Sequence, residues 1–236
     1  QKTRLAAVPF TVIYIVGGIA VARQTRKTKP LIYVFCEGES EQAYTKFLKE
    51  RFSDAAVIKC VPQTGLFQEA KDKFDKEPRY RDNADVTDEI WFFFDVEDDD
   101  AGKWDQRLKI IKYLRKLKKK PGIRVRLLMT TACIEYWLLL HYEMISPPIH
   151  TVADKERILK RVQDFAPAYA KGDQAATSII AQEYKTAILH GSRTLDALMA
   201  DGMPVREDSD ERSGWLCQSH KTFTTVQEAI QFLEAH

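Results

Sequence analysis

Four short runs of strand-forming residues, each set apart by a stretch of helical period, constrain this chain more than any other feature. They are LIYVFC at Leu31–Cys36, AVIKCV at residues 56–61, IWFFF at 90–94 and IRVRLLM at 123–129. Runs as apolar as the first and third belong to strands buried on both faces. Between them, Ser40 is a good N-cap for a helix that places Tyr44, Phe47, Leu48 and Phe52 on one face. Leu66–Lys76 has helical period. So do residues 104–119, with Leu108, Ile111, Leu114 and Leu117 inward and Pro121-Gly122 as a stop. This alternation predicts βαβ units and therefore an α/β fold with a mainly parallel sheet flanked by helices. Residues 132–142 predict one more apolar helix. After Pro147-Pro148 the pattern is helical at 154–165, 175–189, 192–199 and 225–233. The expected organisation is an α/β core at 30–145, a mostly helical C-terminal region at 146–236, and an N-terminal extension at 1–29.

Residues 5–22 of that extension are uncharged and mostly apolar, with Arg4 before them and Arg23, Arg26, Lys27 and Lys29 after them. The stretch only just reaches the length of a membrane span, and Pro9 and Gly17-Gly18 argue against one. Basic residues at both ends argue against a signal peptide. An additional buried element or an upstream extension is the preferred reading. With 44% hydrophobic and 30% charged residues, disordered and collagen-like architectures are excluded. At 236 residues a core can form without disulfide staples. Cys36, Cys60, Cys133 and Cys217 contain no C-x-x-C pair, which excludes a short zinc knuckle. They read as reduced thiols of a cytoplasmic protein.

In open α/β sheets, ligands gather beyond the carboxyl ends of the strands. Two predicted strands end in acids: the first in Glu37 and Glu39, the third in the run Asp95-Val96-Glu97-Asp98-Asp99-Asp100. If these strands are neighbours, Glu37 faces Asp95 and Glu97 across one crevice. Crowded carboxylates repel in a reduced dielectric, and a hard dication such as Mg²⁺ relieves them with two or three oxygen ligands. Acids 98–100 have a plainer reading, as caps for the following helix. That helix is basic, with Arg107, Lys109, Lys112, Arg115, Lys116, Lys118, Lys119 and Lys120, and Arg124 and Arg126 follow on one side of the next strand. Such density suits a polyanion held in a salt-dependent way, or simply a solvated helix face. Glu135 and His141 lie in the apolar run CIEYWLLLH. About 240° apart on a helix, they do not share a face. His141 reads as a structural residue. Glu135 must pair, bind a cation or take up a proton, and it either faces the crevice or does not.

Taken together, LIYVFCEGESEQAYTKFL (31–48), IWFFFDVEDD (90–99) and CIEYWLLLHY (133–142) resemble the RloB-like family, whose core is similar to a TOPRIM domain. Tyr169-Ala170-Lys171-Gly172 and Ser219-His220-Lys221-Thr222 extend the resemblance, which covers roughly residues 23–236. In TOPRIM domains a glutamate after the first strand and a D-x-D after the third serve Mg²⁺-dependent phosphoryl transfer. The resemblance places these at Glu37, Asp95 and Glu97. It departs from the pattern where Glu97 replaces the second aspartate, leaving Asp98 or Asp99 as substitutes, and where Thr131-Ala132 replaces Asn-Pro. It implies a prokaryotic phage-defence or restriction-modification setting, often beside an ATPase.

The expected function is a nuclease that cleaves DNA or RNA. Glu37, Asp95 and Glu97 would be its catalytic acids and would bind Mg²⁺ (or Mn²⁺) with Asp98 and Glu135 as further ligands. Lys120, Arg124 and Arg126 would hold the nucleic-acid backbone. The alternative is a non-catalytic adaptor that docks a defence ATPase or a DNA-modification complex.

Overall fold

The computed structural model describes residues 28–61 and 65–236. The apolar stretch at 5–22 lies outside the described residues. Strands β1 (Leu31–Cys36), β2 (Val57–Val61), β3 (Glu89–Val96) and β4 (Arg124–Thr131) form one parallel sheet in the order β2-β1-β3-β4. Helix α1 (Glu39–Arg51) connects β1 to β2. Helix α2 (Leu66–Lys76) and the short α3 (Pro78–Arg81) precede β3, and α4 (Trp104–Arg115) precedes β4. The chain continues through α5 (Ile134–Leu139), α6 (Val152–Phe165), α7 (Gln174–Ala181), α8 (Tyr184–Ala200), α9 (Asp210–Gln218) and α10 (Val226–Glu234). The α/β class and the mostly helical C-terminal part are as the sequence predicts.

Helices cover both faces of the sheet, which is why the strand sequences do not alternate. On one face Ile32, Val34, Trp91, Phe93 and Leu128 pack with residues of α1, α5, α6, α7 and α10. On the other, Tyr33, Phe35, Phe92, Phe94 and Leu127 pack with α2, α4 and α9. Helix α8 serves both cores, with Tyr184 and Ala187 in the first and Leu195 and Leu198 in the second. The stacked pair Phe67–Phe92, with ring centroids 4.1 Å apart, adds about 1 kcal/mol beyond its buried area. The C-terminal region is bonded to the outer edge of β4: Thr131 N–H donates to Phe223 O at 3.1 Å and Thr225 N–H to Met129 O at 2.9 Å. Among the described residues no helix is long and apolar enough to cross a membrane.

Several element boundaries differ from the sequence reading for local reasons. Helix α1 begins at Glu39 with Gly38 as its N-cap, and Ser40 instead accepts the Gly172 N–H at 3.0 Å. Helix α4 stops at Arg115, because Lys118 turns back to bond Thr87 O and Asp88. Helix α5 begins only at Ile134, since Ala132 has φ +65° and Cys133 is extended. Helix α8 runs straight through Gly191, where a Cβ would lie 2.7 Å from Gln227 Oε1. The glycine there admits α10 rather than ending a helix. Helix α9 is unpredicted; Ser209 caps it by accepting the Arg212 N–H at 3.1 Å.

Candidate active site

Strands β1 and β3 are direct neighbours, so their carboxyl ends open together. Glu37 follows β1. Its N–H donates to Phe93 O at 3.0 Å, and its Oε2 accepts the Asp95 N–H at 2.9 Å. Asp95 has the parity of Trp91 and Phe93 along β3, which directs it to the α1 and α5 side. Its Oδ1 is sealed from solvent and has no hydrogen-bond partner among the described residues. Burial holds the Asp95 carboxyl well above the usual range, and Glu41, Glu37 and Glu135 reinforce the effect.

Glu41, in the first turn of α1, is only 4% exposed. Burial, with Glu37 and Glu135 nearby, pushes its pKa up to about 7 against bonds from backbone amides. Gly38 makes room for it: a Cβ there would lie 2.9 Å from Glu41 Oε2. Glu135, buried at the start of α5, accepts Tyr169 Oη–H at 3.0 Å and has Lys171 Nζ at 3.5 Å. Glu37 is also raised, by burial first, then against the Asp95 amide bond by Asp100 and Glu97. Gly38, Glu41, Asp95, Glu135, Lys171 and Gly172 thus border one crevice of about 300 Å³. Among the described residues no three of these side chains already stand as a finished metal-ligand set. One Glu37 oxygen is engaged by the Asp95 amide, and both Glu135 oxygens have partners.

Asp95 and Glu135 both line this crevice, and Glu37 stands beside it, bonded to the Asp95 amide; the sequence reading leaves the direction of Glu135 open. Glu97 and Asp98 do not join them. The strand ends at Val96, and Glu97 turns out to pair with Lys155, while its N–H donates to Asp100 at 3.1 Å. Asp98 accepts His220 Nδ1–H at 2.9 Å and lies 3.6 Å from His150 Nδ1. Both acids belong to a second pocket on the other side of the β3 end.

The expected backbone-binding residues stand elsewhere too. Arg126 is 5% exposed and forks onto Glu89 at 3.0 and 3.1 Å, with its guanidinium over the Phe232 ring. It is a buried ion pair and offers no surface to a phosphate. Arg124 opens β4 and pairs with Asp208 at 3.0 Å. In register it meets Glu89, whereas Asp95 meets Thr130. Six strand residues at about 3.3 Å each put roughly 20 Å between Arg124 and the crevice. Lys120 is exposed in the turn before β4, at that same far end. His141 is structural: Nδ1 faces Trp137 O at 3.0 Å and so carries the proton, and Nε2 accepts from Tyr44 Oη at 3.1 Å.

The crevice and its roof come from segments far apart in the chain. A family model described as RloB-like protein matches residues 32–233, from β1 to α10. The chain belongs to the RloB-like protein family. In this RloB-like protein the first family segment supplies Glu37 and Glu41, the second Asp95 and the third Glu135. The short motif at 169–172 supplies Tyr169 and Lys171, which close over Glu135. The sequence reading missed Glu41, although its spacing to Tyr44 and Leu48 puts it on the buried face of α1. Comparison with curated proteins and with solved structures gave no match.

Proposed function

We propose that this protein is a metal-dependent nuclease, hydrolysing phosphodiester bonds of DNA or RNA at the Glu37–Asp95 crevice. The observation that carries the reading is Asp95 Oδ1, buried without a donor among three other carboxyl groups. A hard dication fits this all-oxygen, mutually repelling set. Glu37, Glu41 and Asp95 would hold Mg²⁺ or Mn²⁺ after side-chain rotation, with Glu135 behind them. When bound, the ion supplies an acidified water and neutralises charge on the phosphoryl group. The Asp95 amide holds one Glu37 oxygen and would leave the other for the ion. Lys171, which pairs with Glu135 at the rim, would meet non-bridging phosphate oxygens. The setting attached to this reading is a prokaryotic cytoplasm, in phage defence or restriction-modification, with an ATPase as partner. It rests on the family resemblance.

One observation favours a second reading as a non-catalytic adaptor for such an ATPase or a DNA-modification complex. Glu97, at the position of the second acid, is engaged by Lys155 outside the crevice. The discriminating experiment is incubation with Mg²⁺ or Mn²⁺ and plasmid, single-stranded DNA or RNA, alone and with the partner ATPase. Nicking or RNA cleavage is expected. It should vanish in Asp95→Ala while the melting curve is retained, and calorimetric Mn²⁺ binding should vanish with it. Absence of both cleavage and Mn²⁺ binding in the parent protein overturns the nuclease reading in favour of the adaptor.

A further inference from the structure

On the far side of the β3 end lies the second pocket, of about 220 Å³. Its floor is apolar, from Val96, Ile149 and Leu216, and His150, Lys155, His220 and Lys221 stand at its rim. The Asp98 carboxylate receives the His220 Nδ1–H at 2.9 Å. With Nδ1 engaged, Nε2 is the nitrogen left for a ligand, and the side chain is 52% exposed. A carboxylate that fixes the ring and its tautomer is the arrangement of an imidazole used for proton transfer.

Two further observations distinguish this pair from an ordinary surface contact. His220 has φ +51°, a left-handed conformation that costs a side-chain-bearing residue about 1–2 kcal/mol. Glycine would adopt it freely; histidine, like asparagine and aspartate, is among the side-chain-bearing residues found there most often. Such outliers concentrate at functional sites. The pocket is also adjacent to the crevice. Val96 and Ala132 line it, while Asp95 and Ile134 line the crevice, and Lys155, which also lines the pocket, pairs with Glu97.

We propose that His220, oriented by Asp98, is the general acid that protonates the leaving oxygen during phosphodiester cleavage, with the leaving nucleotide seated in this pocket. The proposal rests on the nuclease reading. In the step, water oxygen forms a new bond to phosphorus and gives one proton to solvent. The bond from phosphorus to the leaving sugar oxygen breaks, its electron pair stays on that oxygen, and the oxygen takes the Nε2 proton of the imidazolium. Solvent then reprotonates the imidazole. The net change is diester plus water to monoester plus alcohol. The titratable and charged groups around His220 are Glu97, Asp98 and Asp99 from the turn after β3, His150 from the loop before α6, Lys155 from the first turn of α6, Cys217 from α9, and the adjacent Lys221.

The test compares two substrates with the full chain and Mn²⁺: a cleavable nucleic acid and bis(p-nitrophenyl) phosphate, whose leaving group departs without a proton. His220→Asn keeps the backbone conformation accessible. It is expected to lower kcat on nucleic acid about 100-fold or more and to change the nitrophenyl rate less than about threefold, since no proton donor is needed there. The alkaline limb of the pH–rate profile on nucleic acid should disappear with it, and Asp98→Asn should give a smaller loss with the same substrate split. Equal losses on both substrates, or no loss on nucleic acid, overturn the assignment and leave the nuclease reading standing. A parent protein that cleaves neither substrate, alone or with the partner ATPase, and binds no Mn²⁺ overturns both.

Discussion

Glu37 Oε2 accepts a hydrogen bond from the Asp95 backbone N–H at 2.9 Å, across two parallel strands and 58 residues of sequence. The bond ties the exit of β1 to the exit of β3 and leaves one Glu37 oxygen uncommitted. Glu37→Gln keeps an acceptor for the amide and removes the charge. We expect its stability within about 1 kcal/mol of the parent and its calorimetric Mn²⁺ binding abolished. Undiminished Mn²⁺ binding in this variant would remove Glu37 from the ion site.

A bound ion stabilises the folded chain by mass action. With free Mn²⁺ at about a hundred times its dissociation constant, the gain is about 2.7 kcal/mol. Thermal melts of the parent protein should therefore shift upward with Mn²⁺, and melts of Asp95→Ala should not. An equal shift in both proteins would place the ion elsewhere.

The Glu89–Arg126 pair lies inside the fold, 4% and 5% exposed. Deleting one partner leaves a buried charge uncompensated, so Arg126→Ala should cost about 3–5 kcal/mol in urea unfolding. Arg126→Met, which retains apolar volume but still strands Glu89, should also destabilise. Adding Glu89→Leu to it should recover only part of the loss, because the Trp91 Nε1–H, which donates to Glu89 Oε2 at 2.5 Å, then loses its acceptor. By contrast, Lys120→Glu with Arg124→Glu, at the far end of the sheet, should leave cleavage rates within about twofold, because exposed charges there are screened over more than a Debye length. A tenfold drop in that double variant would restore the basic end as a binding surface.

The legibility of the site follows from which interactions are local. Strands β1 and β3 were readable because burial on both faces demands unbroken apolar runs, and Glu37 and Asp95 because they are the first polar residues past those runs. Glu41 was hidden by its place in a helix first turn, where an acid ordinarily serves the helix dipole. Its alignment with Tyr44 and Leu48 was the available signal. Glu97 was misplaced because strand alternation was extended one residue too far; the turn after Val96 redirects it to Lys155. Arg126 looked available because its partner Glu89 sits on another strand, 37 residues earlier, and register is not visible in one sequence. The Asp98–His220 pair spans 122 residues and had no local signature.

Two buried groups give the protein a pH dependence of opposite signs. Burial lowers His141 from 6.5 to about 4. As pH falls through 6.5, the unfolded chain takes a proton that the folded chain refuses, so stability is lost down to about pH 4, by about 3 kcal/mol in all. Glu41 is raised from 4.5 to about 7. As pH falls through 7, the folded chain takes a proton that the unfolded chain refuses, so stability is gained down to about pH 4.5, by a similar amount. Asp95 adds to the Glu41 side. The windows overlap, so between pH 6.5 and 4.5 the His141 loss opposes the gain from Glu41, to which Asp95 and Glu37 add in the same direction. Glu41→Gln removes the Glu41 share of the gain: without metal, it should be more stable than the parent above pH 7 by about 3 kcal/mol, and this advantage should disappear on acidification to pH 4.5. His141→Gln should do the reverse, gaining stability relative to its own neutral value as the pH falls to 4.5. Urea unfolding at pH 8, 6 and 4.5 measures all three proteins. An unchanged pH profile in Glu41→Gln would mean that Glu41 carries no raised proton affinity, and the crowding of carboxyl groups at the strand ends would then lack its energetic consequence.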